Sequence, residues 1–425
     1  MKKIVVYQSN NTKKIIYIKK IGTKMKLVTM GCKSYKPFYC QTNINFAPLT
    51  IFFGKNNSGK TALLRLPRLL LRCLSTKNRN SFPLDVDDLT FGESFHDLIH
   101  KKLPYGNINL SVTLKNKANS FALDAEIQAI QDALGADYQV ISKLHLKNPD
   151  FLIEWDRKKG FPPSYTGIGE IEFQGLLPRV DDPDMRDALT DWSQQAQSFE
   201  QNISHLSAHR SPISSVYERK TPRQLGLNGK GAPEWLAKHS ELLDAVGDWY
   251  EKHMDGWRFS LDITADVFRC ILRRGNAEVN LSNAGDGMQL LLPIIVQQLS
   301  HIYISRPDPS FLDLIEEPEL HLHPAAHAPL ADLFLQTAKS DQGQVVIETH
   351  SENLLLRIRR RIAEGVDPNM VALYWIEDID DGSSSVQRIH ILENGEVDYW
   401  PEGIFSETYQ EVRALSRAAR KRKID

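Results

Sequence analysis

The stretch Gly54-Lys55-Asn56-Asn57-Ser58-Gly59-Lys60-Thr61 constrains this chain more than any other. It follows the apolar run Leu49-Thr50-Ile51-Phe52-Phe53 and opens into Ala62-Leu63-Leu64-Arg65-Leu66. Strand, glycine-bounded loop and helix in that order form an α/β unit with the spacing of a P-loop. Gly54 and Gly59 permit a tight turn, and the backbone N–H groups of Asn56, Asn57 and Ser58 between them can point at a phosphate. The helix that follows adds the positive end of its dipole. Lys60 is then placed to reach the β- and γ-phosphates of a nucleotide, and the Thr61 hydroxyl to ligate Mg2+.

A second cluster lies far along the chain. Phe311-Leu312-Asp313-Leu314-Ile315-Glu316-Glu317 has the pattern of a buried strand ending in paired carboxylates. Beside a P-loop, one carboxylate can hold the hydration shell of Mg2+ and the next can take a proton from the attacking water. Gln344-Val345-Val346-Ile347-Glu348-Thr349-His350 is another strand of parallel type, ending in a histidine that can meet the γ-phosphate or the water. Between loop and carboxylates, Ser282-Asn283-Ala284-Gly285-Asp286-Gly287 opens an apolar helix, a second anion-binding terminus.

The order of these motifs resembles the ABC-type ATPase heads of the RecF, SMC and OLD group. It is similar in particular to bacterial ATPases with an I-E-E-P-E-x-x-L-H-P Walker B and a small C-terminal domain of unknown function. Glu348-Thr349-His350-Ser351-Glu352-Asn353-Leu354 and Gly395–Gly403 carry the tail of that likeness. The resemblance implies that Lys60 and Thr61 are Walker A ligands, Glu316 the metal-side carboxylate and Glu317 the base. It implies that Ser282 and Gly285 form a turn acting in trans, and that His350 is the switch histidine. It further implies ATP and Mg2+ as cofactors and a homodimer or higher oligomer bridged by ATP. The implied output is control of a separately encoded effector, a nuclease among the candidates, or action on DNA, in bacterial antiphage defence or genome maintenance. Two departures stand out: Glu316 replaces the Asp of most ABC proteins, and no Q-loop glutamine stands out between residues 80 and 105.

The expected fold is an α/β ABC-type head, a mixed core sheet flanked by helices, with an antiparallel β lobe and a helical insertion. Residues 1–24 read as an N-terminal extension, either an added edge strand or residues before a start at Met25. Residues 25–105 read as the P-loop lobe and 106–255 as the antiparallel β and helical insertion. Residues 256–365 read as the signature and Walker B lobe, and 366–425 as a small C-terminal region. Strands are expected between 106 and 176, and helices over 183–204 and 233–254.

Composition adds exclusions. A formal charge of −1 gives no global attraction to nucleic acid or anionic lipid. No apolar run approaches the roughly 18 residues of a membrane span. Four cysteines without a CxxC pair fit a reducing cytoplasm. Basic runs, Arg357–Arg361 and Arg417–Lys423, are solvated faces or contacts for nucleic acid or an acidic partner. His321, His323 and His327 leave open a rival function, a metal-dependent nuclease. A nucleotide-binding scaffold with negligible hydrolysis is the other alternative. Asp85, Asp87 and Asp88 read as loop decoration, Glu377–Asp380 as an acidic turn, and Arg210 as a phosphate contact or a surface ion pair.

Overall fold

Continuous apolar runs such as Leu49–Phe53 fold as parallel strands covered on both faces. The structure, a computed structural model, describes residues 2–7, 13–18, 25–74, 81–117, 119–131, 137–149, 152–156, 166–167, 169–170, 173–219, 225–305, 310–340 and 342–401. The basic run 417–423 lies outside the described residues, as does part of the 1–24 extension. Within that extension, Lys2–Tyr7 pairs antiparallel with Lys13–Ile18 and joins neither six-stranded sheet.

In chain order, β1 (Lys26–Lys33), β2 (Thr42–Asn45) and β3 (Leu49–Gly54) precede the helix α1 (Lys60–Cys73). Next come β4 (Asn107–Lys115), β5 (Ser120–Gln131), β6 (Asp137–Lys147) and β7 (Leu152–Asp156). Helix α2 (Pro183–Glu200) leads into β8 (Ile203–Leu206). The helix expected over 233–254 is broken at Ala237–His239, leaving a single turn and α3 (Ser240–His253). Then follow β9 (Arg258–Ile263), β10 (Val267–Arg274), β11 (Ala277–Asn280) and α4 (Asp286–Tyr303). The final stretch alternates β12 (Phe311–Glu316), α5 (Pro324–Ala338), β13 (Gly343–Thr349) and α6 (Glu352–Ala363). It ends with β14 (Val371–Asp378) and β15 (Ser384–Ile389).

The core sheet has the order β8-β12-β13-β3-β14-β15. All its neighbours are parallel except β14 and β15. Successive residues on each strand point to opposite faces, so the strands divide their apolar side chains between two cores. Phe52, Leu314, Val346 and Tyr374 pack with the leucines of α1. Ile51, Phe53, Ile315, Ile347 and Trp375 pack with α4, α5 and α6.

The second large sheet is antiparallel, β7-β6-β5-β4-β1-β2, and closes over α1 through Leu110, Val112, Leu123 and Ile127. Two boundaries drawn from the sequence therefore do not separate structural units. β1 and β2, taken with the P-loop lobe, belong to the sheet of the following segment, because β1 pairs with β4. The strands of the 366–425 region complete the core sheet, with Leu373 opposite Ile51 and Trp375 opposite Phe53. The P-loop strand β3 thus has β13 on one side and β14 on the other.

Gly54 ends β3 where β14 runs closest, and a Cβ there would meet the Ile376 carbonyl oxygen at 2.0 Å. Gly54→Ala therefore forces the strands apart, and we expect a loss of roughly 1–3 kcal/mol. Urea unfolding would show this as a lower midpoint at unchanged slope. An unshifted midpoint would contradict the packing described.

Candidate functional site

The loop between β3 and α1 is held by close backbone packing. Gly59 has φ 94°, and a Cβ on it would come within 2.6 Å of Pro37. Asn57 is also left-handed, at φ 64°, a conformation asparagine tolerates. Lys60 is buried, and its Nζ donates to the Lys55 carbonyl at 2.6 Å, inside its own loop. Burial lowers its pKa, against the attraction of Glu348, Glu317, Glu319 and Asp378. A cleft of about 740 Å3 opens over the loop, and Lys60, Thr61, Glu317, Glu348 and His350 share its wall. The acidic turn beginning at Asp378 lines the same cleft from the end of β14.

Adjacent strand ends set the carboxylates. Glu316 on β12 is in register with Glu348 on β13, so both rise on the face covered by α1. Thr61 and Arg65 stand one helical turn apart on that helix. Thr61 Oγ1 donates to Glu348 Oε1 at 2.8 Å. Glu316, expected beside Thr61, instead accepts from Arg65 Nε at 2.6 Å and Nη2 at 3.0 Å. It also contacts His205 Nε2 at 2.9 Å and accepts from the Ala208 N–H at 3.3 Å. Burial opposes its charge, yet hydrogen bonds from His205 and Arg65 hold its carboxyl down to about 2. Burial pushes the Glu348 carboxyl up to about 7, although Thr61 and Lys60 oppose it.

Glu317 follows in a left-handed conformation, φ 40°. Its N–H donates to the Glu348 carbonyl at 2.9 Å. Arg210 is buried and donates to the carbonyls of Glu316 and Glu317, both at 3.0 Å. It is neither a surface ion pair nor a lining residue of the cleft. Its role in this arrangement is to hold the backbone that carries Glu317. The Glu317 carboxylate lies 3.9 Å from His350 Nε2. Glu319 accepts from the His350 N–H at 2.5 Å, tying the carboxylate turn to the end of β13. Burial and the charge of Lys60 lower the His350 pKa to about 4, which leaves the ring neutral near pH 7. Among the described residues, Glu317, Glu348 and His350 form one group of ligating atoms within 4.8 Å of one another.

The turn from Ser282 to Gly287 stands elsewhere. Ser282 donates from its N–H and Oγ to Asn280 Oδ1 at 3.1 and 2.9 Å. Gly285 is exposed, with nothing within 4 Å of where a Cβ would stand. It borders a separate cleft of about 660 Å3 with Met288, Leu322 and His323. Neither Ser282 nor Gly285 lines the P-loop cleft of its own chain.

Most of the remaining candidates have structural partners. His323 Nδ1 accepts from the Ala325 N–H at 3.3 Å and caps α5, while His327 Nδ1 meets Ser351 Oγ at 2.6 Å. His321, His323 and His327 form no ligand group among the described residues. Arg357 and Arg361 pair with Asp332, and Asp87 pairs with Arg68 and Arg72. Arg65 and His205 went unremarked in the sequence. The signal for Arg65 was its place four residues after Thr61, on the same helical face.

Removing Arg65 leaves Glu316 buried without its cation. Arg65→Met should destabilise by an amount at the lower end of about 3–5 kcal/mol, because Arg65 is partly solvated. The pH sign is set by the lowered carboxyl. The stabilisation is present above about 4.5 and fades as pH falls toward 2 in the wild type. Chemical unfolding at pH 7 and at pH 3 should therefore show a larger wild-type advantage at pH 7. An equal difference at both would refute the pairing.

Residues 92–355, more than half of the chain, match the AAA_15 family, described as AAA ATPase domain. Residues 366–415 match a family described as protein of unknown function, DUF3696. No curated protein matches the chain. The solved SMC head bound to the C-winged helix domain of ScpA superposes with TM-score 0.52 at 13% identity, over 86% of this chain and 98% of that one. The SMC head domain from Thermotoga maritima covers 86% of this chain and 100% of its own, at 12% identity and TM-score 0.44. The first likeness is one of fold, that of an ABC-type ATPase head. With that fold and that matched span, the chain belongs to the AAA ATPase domain family.

Proposed function

We propose that this chain binds ATP and Mg2+ in the P-loop cleft, hydrolyses ATP, and does so as a pair of copies closed around the nucleotide. The observation that carries the reading is the placement of Glu317. Arg210 and the Glu348 carbonyl hold its backbone so that its carboxylate faces the cleft beside a neutral His350. From there Glu317 accepts a proton from water, and His350 orients that water or a phosphate oxygen. Lys60 exchanges the Lys55 carbonyl for a phosphate oxygen, a stronger, charge-assisted contact.

The residues fit a divalent cation. Glu348 has one oxygen on the Thr61 hydroxyl and the other buried without a hydrogen-bond partner. When bound, magnesium supplies neutralisation of phosphate charge. The hydroxyl of Thr61 and a carboxylate beside it would hold the ion.

Gly285 is exposed on a cleft separate from the P-loop cleft, with open space around it, which supports a site shared with a second copy. The SMC head bound to a ScpA domain supports partner control as the output of such a head. With the motif resemblance, that favours a separately encoded effector, and a role in antiphage defence or genome maintenance. DNA is the alternative target. No described helix is long and apolar enough to cross a membrane, and the free cysteines fit a cytoplasmic chain. Of the histidines of the rival nuclease, His323 caps α5 and His327 meets Ser351, and the three form no ligand group among the described residues.

Glu317→Gln keeps the shape of the site and removes the base. ATP should bind with near wild-type affinity, turnover should fall by about 100-fold or more, and an ATP-bound dimer should persist on size exclusion. Preserved turnover would move the base elsewhere. Turnover that is negligible in the wild type and unchanged in the variant would favour the scaffold reading.

A further inference from the structure

We infer that Glu348, and not Glu316 of the paired carboxylates, is the metal-side carboxylate of this nucleotide site. The inference rests on the ATPase reading above and assigns a role within it.

Strand position is the first reason. β13 lies between the P-loop strand β3 and the carboxylate strand β12, and Glu348 is in register with Phe52. Its side chain therefore rises directly beneath the first turn of α1, and Thr61 meets it at 2.8 Å. Glu316 is one strand farther out and meets α1 a turn later, at Arg65. A cation held by the Thr61 hydroxyl is next to Glu348.

Hydrogen-bond capacity is the second. Glu348 is only 4% exposed and lines the cleft, yet its Oε2 has no partner. An unpaired carboxylate oxygen in that position is costly, and a divalent cation or its bound water would satisfy it. Glu316 has no such capacity. Arg65, His205 and the Ala208 N–H already occupy both of its oxygens. A cation at Glu316 would also lie against the Arg65 guanidinium, whose charge repels it.

The three carboxylates then divide the work. Glu316 fastens α1 to β12 and β8, Glu317 serves the water, and Glu348 serves the cation. The motif reading fails here for a definable reason: adjacency in sequence puts Glu316 next to the base, whereas adjacency in the sheet puts Glu348 next to Thr61.

The test is calorimetry of ADP binding, with Mg2+ and with EDTA, together with Mn2+ uptake by the ADP complex followed by electron paramagnetic resonance. Wild type should bind ADP more tightly with Mg2+. Glu348→Gln should keep the EDTA affinity and lose most of the Mg2+ gain, with Mn2+ affinity falling about 10- to 100-fold. Glu316→Gln should keep the Mg2+ gain while unfolding at a lower temperature. Should that variant not fold, Arg65→Met with Glu316→Leu replaces the buried pair by apolar groups and should also keep the gain. A full Mg2+ gain in Glu348→Gln, or its loss in a folded Glu316 variant, overturns the assignment. Absence of nucleotide binding by the wild type overturns the ATPase reading itself, and the assignment with it.

Discussion

Parallel strands end side by side beneath the first turns of α1, and each carboxylate at that edge needs a cation, a donor or water. An ion buried without compensation costs several kcal/mol, so the partners decide which carboxylate stays inside. Glu316 stays because Arg65 reaches it with two N–H groups and His205 with a third. Glu348 stays with Thr61 on one oxygen alone. Glu317, half-buried at the rim, keeps its carboxylate toward the cleft.

The same edge links chemistry to the rest of the head. Arg210, just beyond β8, grips the carbonyls on either side of the Glu316–Glu317 bond. Glu317 donates to the end of β13, and Glu319 accepts from His350. These bonds tie the position of Glu317 to that of His350 and of the loop carrying Arg210. Gly287 adds a further contact, since a Cβ there would meet the His321 carbonyl at 2.6 Å. The start of α4 thus rests on the loop that follows Glu317.

Much of this is legible in the sequence. Gly54–Thr61 announced its strand, loop and helix, because few residue types permit that turn. Phe311–Glu316 and Gln344–Thr349 read as parallel strands, because burial on both faces leaves an unbroken apolar run. What escaped depends on which elements become neighbours. The partners of Glu316 and Glu348 turn on strand order and on the phase of α1 across the sheet, neither of which is local. β1 pairs with β4 across the whole P-loop unit, and β14 returns to flank β3 from over 300 residues away. Arg210 carries no motif, because its partners are backbone carbonyls that any residue could supply. Its burial is the clue, and burial of an arginine is invisible in a single sequence.

The central claim is that each ATP site is made by two chains, and mixing complementary variants measures it directly. Lys60→Ala removes the phosphate ligand from one chain. Gly285→Arg fills space that is open in the isolated chain, so folding should be spared while closure is blocked. Each variant alone should be inactive. Mixed in equal amounts under conditions of subunit exchange, they form heterodimers in which one site carries both changes and the other carries neither. If one intact site suffices, ATPase activity should return to about a quarter of the wild-type value. Both changes on one chain, mixed with wild type, should lower activity below simple dilution. No recovery in the first mixture and simple dilution in the second, with exchange demonstrated, would contradict the shared site.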